Sequence, residues 1–434
     1  MADPISYLKI SKRDGFENFP VYSISDFPNS PLRIMTSSGI GCFNLVESPL
    51  SSPLRVVTAD GIKGIITEEE VEFNLPPLAI RTVVYMKDKW MVSNHDGSLH
   101  LSEDGGRTFT KTMPIGAEVG TLKQFHIFND GTLLFCSNTK AYYSTDFLTY
   151  RESTLLDKNG SPVVMTGVDS FNAFNHDRSV QVVDGVEMLV WGNYTHSNVR
   201  ILVWYTVDKG RTLKIAYEFN AGGGNGAHHV HNVLFNPADS SFWIQTGDYF
   251  PPEVTPMSHF IKCFYNTVND SWTFETIGSS IRFKSTNMVF YGDYAYWTWD
   301  TTNGGVIRCK YDEIGDITKH EQLFQTPNDC LDLIMSDRGE FIVTQSFHGG
   351  TEDARNIWYS PDRVTFHKIL TNPDATWSTQ TCYYGIRGPN SDGRVLAGVA
   401  NSDSGTIATW DLKPSVFLDE FVRKAGFPNA FKPL

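Results

Sequence analysis

At 434 residues, with 13 % aromatics, 35 Gly and 21 Pro, the composition favours a turn-rich β protein over a helical bundle. A formal net charge of −13 argues against nucleic acid or an anionic membrane surface as the principal partner. The length alone would admit two or three domains, but a repeat architecture can hold as many residues in one closed unit.

The chain opens on Met1-Ala2-Asp3-Pro4-Ile5-Ser6, without a basic stretch followed by an apolar one, and no apolar run approaches the roughly 18 residues of a membrane span. A soluble protein is expected, extracellular or a virion component, with a cytosolic location left open and no membrane insertion. Residues 1–30 read as an N-terminal extension and 31–413 as the body, with Arg33-Ile34-Met35 and Cys42-Phe43-Asn44-Leu45 expected to help close it. One pattern then recurs: apolar strand, tight turn, apolar strand. Phe125–Phe128, the turn Asn129-Asp130-Gly131, and Thr132–Phe135 form its cleanest copy. Other copies turn at Lys87-Asp88, Val183-Asp184-Gly185, Pro237-Ala238-Asp239-Ser240, Gly292-Asp293, Asp337-Arg338-Gly339 and Asn390-Ser391-Asp392-Gly393. Asn/Asp-Gly pairs supply the positive φ that tight hairpin turns need. Seven such hairpins imply seven units, although six or eight also fit. The tail 414–434 has helical apolar spacing at Val416, Phe417, Phe421 and Val422, and is expected to be a short helix packed on the body. The six scattered cysteines read as small buried hydrophobes, with disulfides left open.

A second repeat runs alongside the first. Ser102-Glu103-Asp104-Gly105-Gly106-Arg107-Thr108-Phe109 returns as Thr206-Val207-Asp208-Lys209-Gly210-Arg211-Thr212-Leu213, and in degenerate form at Ser144–Tyr150 and Ser360–Phe366. In each, the Asp carboxylate can accept hydrogen bonds from its own turn while a glycine or its substitute takes positive φ. Asp270, Asp312 and Asp411 continue the period, at intervals of roughly 42 to 62 residues. The motif resembles the Asp-box, or BNR repeat, of sialidase-like β-propellers. That resemblance implies an all-β, seven-bladed β-propeller whose Asp turns join the outer two strands of each blade, away from the working face. The stretch from Trp191-Gly192-Asn193-Tyr194 through Thr206–Thr212 to His229-Val230-His231 and Trp243-Ile244-Gln245-Thr246-Gly247-Asp248 is similar to a pattern in the same superfamily.

Propeller strands alternate in direction, so the inner hairpin turns and the Asp turns share one face. The other face collects the longer loops, and loops on a rigid scaffold commonly carry binding groups. Its candidates for binding are Arg178, Asn193, His196, His229, Arg282, Trp299, Asp300, His348, Glu352 and Arg355. Its candidates for chemistry are His231, His176, Tyr249, Tyr194 and Asp248. Acids, amides and imidazoles bind hydroxyls, and Trp and Tyr stack on sugar rings, so the set suits a polysaccharide or other glycan. His228-His229-Val230-His231 is the densest feature, with His229 and His231 expected on one side of a strand. No cofactor is called for, and a divalent metal at this cluster is left open.

Three activities compete. β-Elimination from a uronate needs a cation for the carboxylate (Arg178, Arg282 or Arg355), a base (His176 or His231) and an acid (Tyr194 or Tyr249), and this polysaccharide lyase reading is preferred. A glycoside hydrolase would need two carboxylates about 5 to 9.5 Å apart, drawn from Asp248, Glu253, Asp300, Glu352 and Asp353. A non-catalytic glycan-binding or virion adhesin propeller is the third. Exo-sialidase chemistry is disfavoured, because Leu32-Arg33-Ile34-Met35 lacks the proline of the superfamily's N-terminal motif and no arginine triad can be assigned.

Overall fold

The computed structural model describes side chains over most of residues 90–371 and strands alone at 6–87 and 382–412. Residues 166–170, 172–178, 195–199, 220–225, 248–257 and 346–355 lie outside the described residues, as do 413–434 and with them the expected C-terminal helix. The chain divides into two compact units, Met1–Glu72 with Lys413–Leu434, and Phe73–Leu412. In the first unit three hairpins follow one another: Ser6–Lys12 with Gly15–Val21, Leu32–Thr36 with Gly39–Phe43, and Arg55–Thr58 with Gly61–Gly64. The strands around Arg33 and Cys42 thus pair with each other in a two-stranded sheet.

Among the described residues of the second unit, seven antiparallel sheets succeed one another. Their first strands are Val84–Lys87, Gln124–Ile127, Val180–Val183, His229–Asn236, Met288–Tyr291, Cys330–Met335 and Cys382–Arg387. Within each sheet the strands lie side by side in chain order, four in most and three described in the seventh. The third sheet gains a fifth, because Thr154–Leu156 runs parallel to Thr212–Phe219 and covers its outer edge. Every one of the seven turn signals falls between a first and a second strand.

Burial explains how the sheets assemble. Each hydrophobic cluster is shared by two sheets consecutive in sequence. Val92 and Leu99 of the first sheet meet Phe125 and Phe135 of the second, and Phe128 and Leu134 meet Trp191, Trp204 and Leu213 of the third. Val190 and Val203 then meet Val233 and Ile244 of the fourth. Leu234, Trp243 and Phe260 meet Trp297 and Ile307 of the fifth, and Tyr296 and Val306 meet Leu333, Phe341 and Val343 of the sixth. Both faces of a central sheet are therefore covered by its chain neighbours, which is the β-propeller arrangement. Four buried cysteines, Cys136, Cys263, Cys309 and Cys330, sit in these seams as free thiols, and burial pushes the Cys309 thiol up to about 11.

The Asp turns form between third and fourth strands. Asp104 accepts from Thr108 N (2.9 Å) and Thr108 Oγ1 (2.6 Å), and Asp146 and Asp362 repeat both contacts with Thr149 and Thr365. Asp208 takes Thr212 N at 2.9 Å and Thr206 Oγ1 at 3.0 Å. Three eroded copies differ. Asp270 turns its carboxylate to the hydroxyls of Tyr205 (2.6 Å) and Tyr265 (2.8 Å). Asp312 lies in the 3-10 turn Tyr311–Glu313, and Asp411 falls inside the strand Thr406–Leu412. Asp312 and Asp411 have no Thr three or four residues on to complete the ladder, and at Asp270, where Thr273 stands in that place, the carboxylate is taken by the two tyrosine hydroxyls and Lys214.

Candidate functional site

The ends of the inner strands opposite the hairpin turns gather the polar groups. His229-Val230-His231 begins the first strand of the fourth sheet, where the register to the second strand slips: Val230 faces Thr246 and Asn232 faces Gln245. His231 is the extra residue of this β-bulge, a device that re-aims a side chain. Two glycines make room for it. A Cβ on Gly192 would collide with the Val230 side chain, and one on Gly247 would lie 1.8 Å from Nε2 of His231. The bare backbone at Gly247 is therefore the floor on which the imidazole rests.

The ring is fixed at one nitrogen and faces a charge at the other. His231 Nδ1 donates to the Ser285 carbonyl at 2.9 Å, which directs Nε2 toward Asp300 Oδ2 at 3.8 Å. Lys284 Nζ stands 3.4 Å from the same carboxylate oxygen. The backbone N–H of Asp300 is bonded to the Lys284 carbonyl at 3.0 Å, so acid and ammonium come from segments already joined. His231 is 2 % exposed and Asp300 8 %, so the pair interacts where water screens little.

Aromatic rings extend the cluster. His229 lies 4.8 Å from His231 between ring centres, Tyr194 lies 4.0 Å from His229, and His228 stands 4.7 Å from His229. Tyr194 also lies 6.1 Å from His231, so these three rings, Tyr194, His229 and His231, form a compact triangle. Among the described residues no group of three His, Cys, Asp or Glu could hold a metal ion. His259 anchors the entry: Nε2 donates to Gly226 O at 3.1 Å, Ser279 Oγ lies 2.6 Å from Nδ1, and burial lowers its pKa.

Of the residues singled out in the sequence, His229, His231, Tyr194 and Asp300 come together here. Asn193 is adjacent but turned inward: Oδ1 accepts from Leu202 N at 2.7 Å, Nδ2 donates to Arg200 O at 3.0 Å, and the side chain is buried. Arg282 lies 4.4 Å above the Trp299 ring, whose Nε1 donates to Ile281 O. This pair flanks Lys284 and Asp300 and leaves the guanidinium half-buried. His176, Arg178, His196, Asp248, Tyr249, His348, Glu352 and Arg355 lie outside the described residues, with Glu253 and Asp353. Lys284, Ser285 and Gly247 were not singled out. Lys284-Ser285 lies just before the fifth sheet's first strand, as His228 lies just before the fourth's, and that correspondence was the available signal.

No family model matches the chain, and no curated protein matches it. Among solved structures it is similar to virginiamycin B lyase from Staphylococcus aureus, at 12 % identity and TM-score 0.48 over 78 % of this chain and 97 % of that one. It is also similar to the extracellular domain of a one-component system from B. thetaiotaomicron (9 %, TM-score 0.49, covering 90 % of this chain and 51 % of that one). A third is Penicillium chrysogenum α-L-arabinanase complexed with arabinobiose (12 %, TM-score 0.40, 68 % and 93 %). At these scores the fold rests on the sheet order and the shared clusters described above.

Proposed function

We propose that the protein is a propeller of the sialidase-like, Asp-box type that cleaves a uronate-containing polysaccharide by β-elimination, at the end of the inner strands marked by His231. The observation that carries this reading is the grouping of buried His231 and Asp300 with the half-buried Lys284, with Nδ1 of the imidazole locked on Ser285 O. With Nδ1–H tied to a carbonyl, the imidazole carries its lone pair on Nε2, the atom that can accept a proton, and the neighbouring carboxylate favours the charged form that results. In the proposed step His231 Nε2 takes the proton on the carbon next to the uronate carboxylate. The C–H electron pair becomes the ring double bond, the glycosidic C–O bond breaks, and the leaving oxygen takes a proton from Tyr194. Asp300 stabilises the imidazolium that forms. Lys284, with Arg282 beside it, neutralises the substrate carboxylate, whose charge would otherwise oppose the developing carbanion.

A hydrolase needs a second carboxylate near Asp300, and the remaining acids suggested for it lie outside the described residues. A second reading is favoured by the burial of His231. With Asn232 Nδ2 donating to Thr286 O at 3.0 Å, the same histidine ties the fourth sheet to the fifth, as a binding-only propeller would require.

The test incubates the protein with uronate-containing and neutral polysaccharides while following ultraviolet absorbance of the unsaturated uronate and release of reducing ends. The elimination reading expects both signals together, and His231→Gln lowering the rate by about 10²- to 10⁴-fold with the folded fraction intact. Reducing ends without the absorbance would mean hydrolysis. Silence in both, with glycan retained, would mean a binding protein.

A further inference from the structure

The outer rim of the molecule carries a second feature. Between the fourth strands of the third and fourth sheets, Thr212–Phe219 and Ser271–Ser279, lies a groove of about 550 Å³. Trp272 and Phe274 sit two residues apart on one strand, hence on one face, with ring centres 6.1 Å apart and planes at 22°. Tyr217 from the opposite strand meets Phe274 at 4.6 Å. All three are half-buried, packed on the core by one side. The rings thus form a fixed, stepped floor open along one side.

The walls are polar and already charge-balanced. Arg200 Nε is held by Glu218 Oε1 at 3.1 Å, and Lys214 pairs with Asp270, which also receives the hydroxyls of Tyr205 and Tyr265. Asp270 holds this position with φ +50°, a conformation an aspartate adopts at a cost. Asp157 and Asn159 contribute a carboxylate and an amide at the rim. A stepped aromatic floor with hydrogen-bonding edges matches sugar rings, each apolar on one face and hydroxylated at its rim. The three cations of the lining, Arg200, Lys214 and Lys158, are matched by three carboxylates, Glu218, Asp270 and Asp157, so the groove has no excess positive charge and a neutral sugar fits better than a uronate.

We propose that this groove is a binding site for a neutral oligosaccharide, separate from the His231 cluster and independent of whether that cluster is catalytic. Rings of two successive sugar units would lie on Trp272 and Phe274, with their hydroxyls bonded by Asp157, Asn159 and Glu218. Such a site would hold a mixed polysaccharide by its neutral stretches.

The test uses the full chain and cello-, xylo- and arabino-oligosaccharides, with oligogalacturonate as the anionic comparison, in calorimetric titrations and by tryptophan fluorescence. At least one neutral oligosaccharide is expected to bind more tightly than oligogalacturonate and to perturb the fluorescence. Phe274→Ala and the exposed Asn159→Arg, which fills the groove mouth, should each weaken binding by about tenfold, with unchanged circular dichroism as the check on folding. His231→Ala should leave it unaltered. The proposal is overturned if no neutral oligosaccharide binds, if the acidic one is preferred, or if binding survives Asn159→Arg undiminished. It is also overturned if His231→Ala abolishes binding, which would place the ligand at the inner strands.

Discussion

Replacing Gly247 by alanine tests whether His231 is held by the backbone beneath it. The added methyl would stand 1.8 Å from Nε2, 1.9 Å from Cε1 and 2.3 Å from Cδ2, whereas ordinary contact begins near 3.4 Å. The ring must therefore move by about 1.6 Å, enough to break the 2.9 Å bond from Nδ1 to Ser285 O. Overpacking of this kind costs about 1–3 kcal/mol, and a misplacement of about 1 Å can lower a rate by about 10²-fold. Urea denaturation of the wild type, Gly247→Ala, His231→Ala and the double variant isolates the cause. Once the ring is gone, the alanine should cost only a few tenths of a kcal/mol, leaving a coupling of at least about 1 kcal/mol. If Gly247→Ala costs the same with and without the imidazole, the ring does not rest on that glycine, and the account of how His231 is aimed fails.

The remaining predictions concern stability, its pH dependence and substrate binding. Asp208→Ala removes the acceptor of Thr206 Oγ1 and Thr212 N on the face away from the site, so it should lower stability by about 1–2 kcal/mol in urea titrations while the cleavage rate per folded molecule stays within twofold. Burial lowers the pKa of His259 and His320 below the ordinary 6.5, so the unfolded chain takes up protons first. Stability from these two is complete above about pH 6.5 and falls as the pH drops through their folded values, a loss that His320→Gln should reduce. A second loss should appear as the pH falls from about 4 to about 2. There the carboxylates of Asp146 and Asp362, held at about 2 chiefly by their turn N–H groups against the opposing effect of burial, become protonated. An acid limb that does not begin until pH 4 would contradict the histidine assignment. Lys284→Met, on the elimination reading, should raise KM for the uronate substrate by about tenfold or more, and an unchanged KM would remove Lys284 from carboxylate binding.

What the sequence determined by itself is local. The hairpin turns were legible because Asp-Gly and Asn-Gly pairs favour one tight backbone geometry wherever they stand, and Asn129-Asp130-Gly131 needs no distant partner to turn. The full Asp turns were legible for the same reason: carboxylate, positive φ and threonine all lie within seven residues. Their eroded relatives show the limit, since at Asp270 a tyrosine 65 residues away captures the carboxylate that the turn would have used. The candidate site was half legible. His229 and His231 announce themselves by density, but a bulge, a glycine 16 positions later and a carbonyl 54 positions later decide where His231 points. Asn193 read as a surface ligand because its loop is polar. The tertiary structure instead uses it to satisfy Arg200 O and Leu202 N where the loop leaves the sheet. Pairings such as Asp300 with Lys284 join neighbouring strand ends, and only the closing of sheet upon sheet brings those ends to the imidazole.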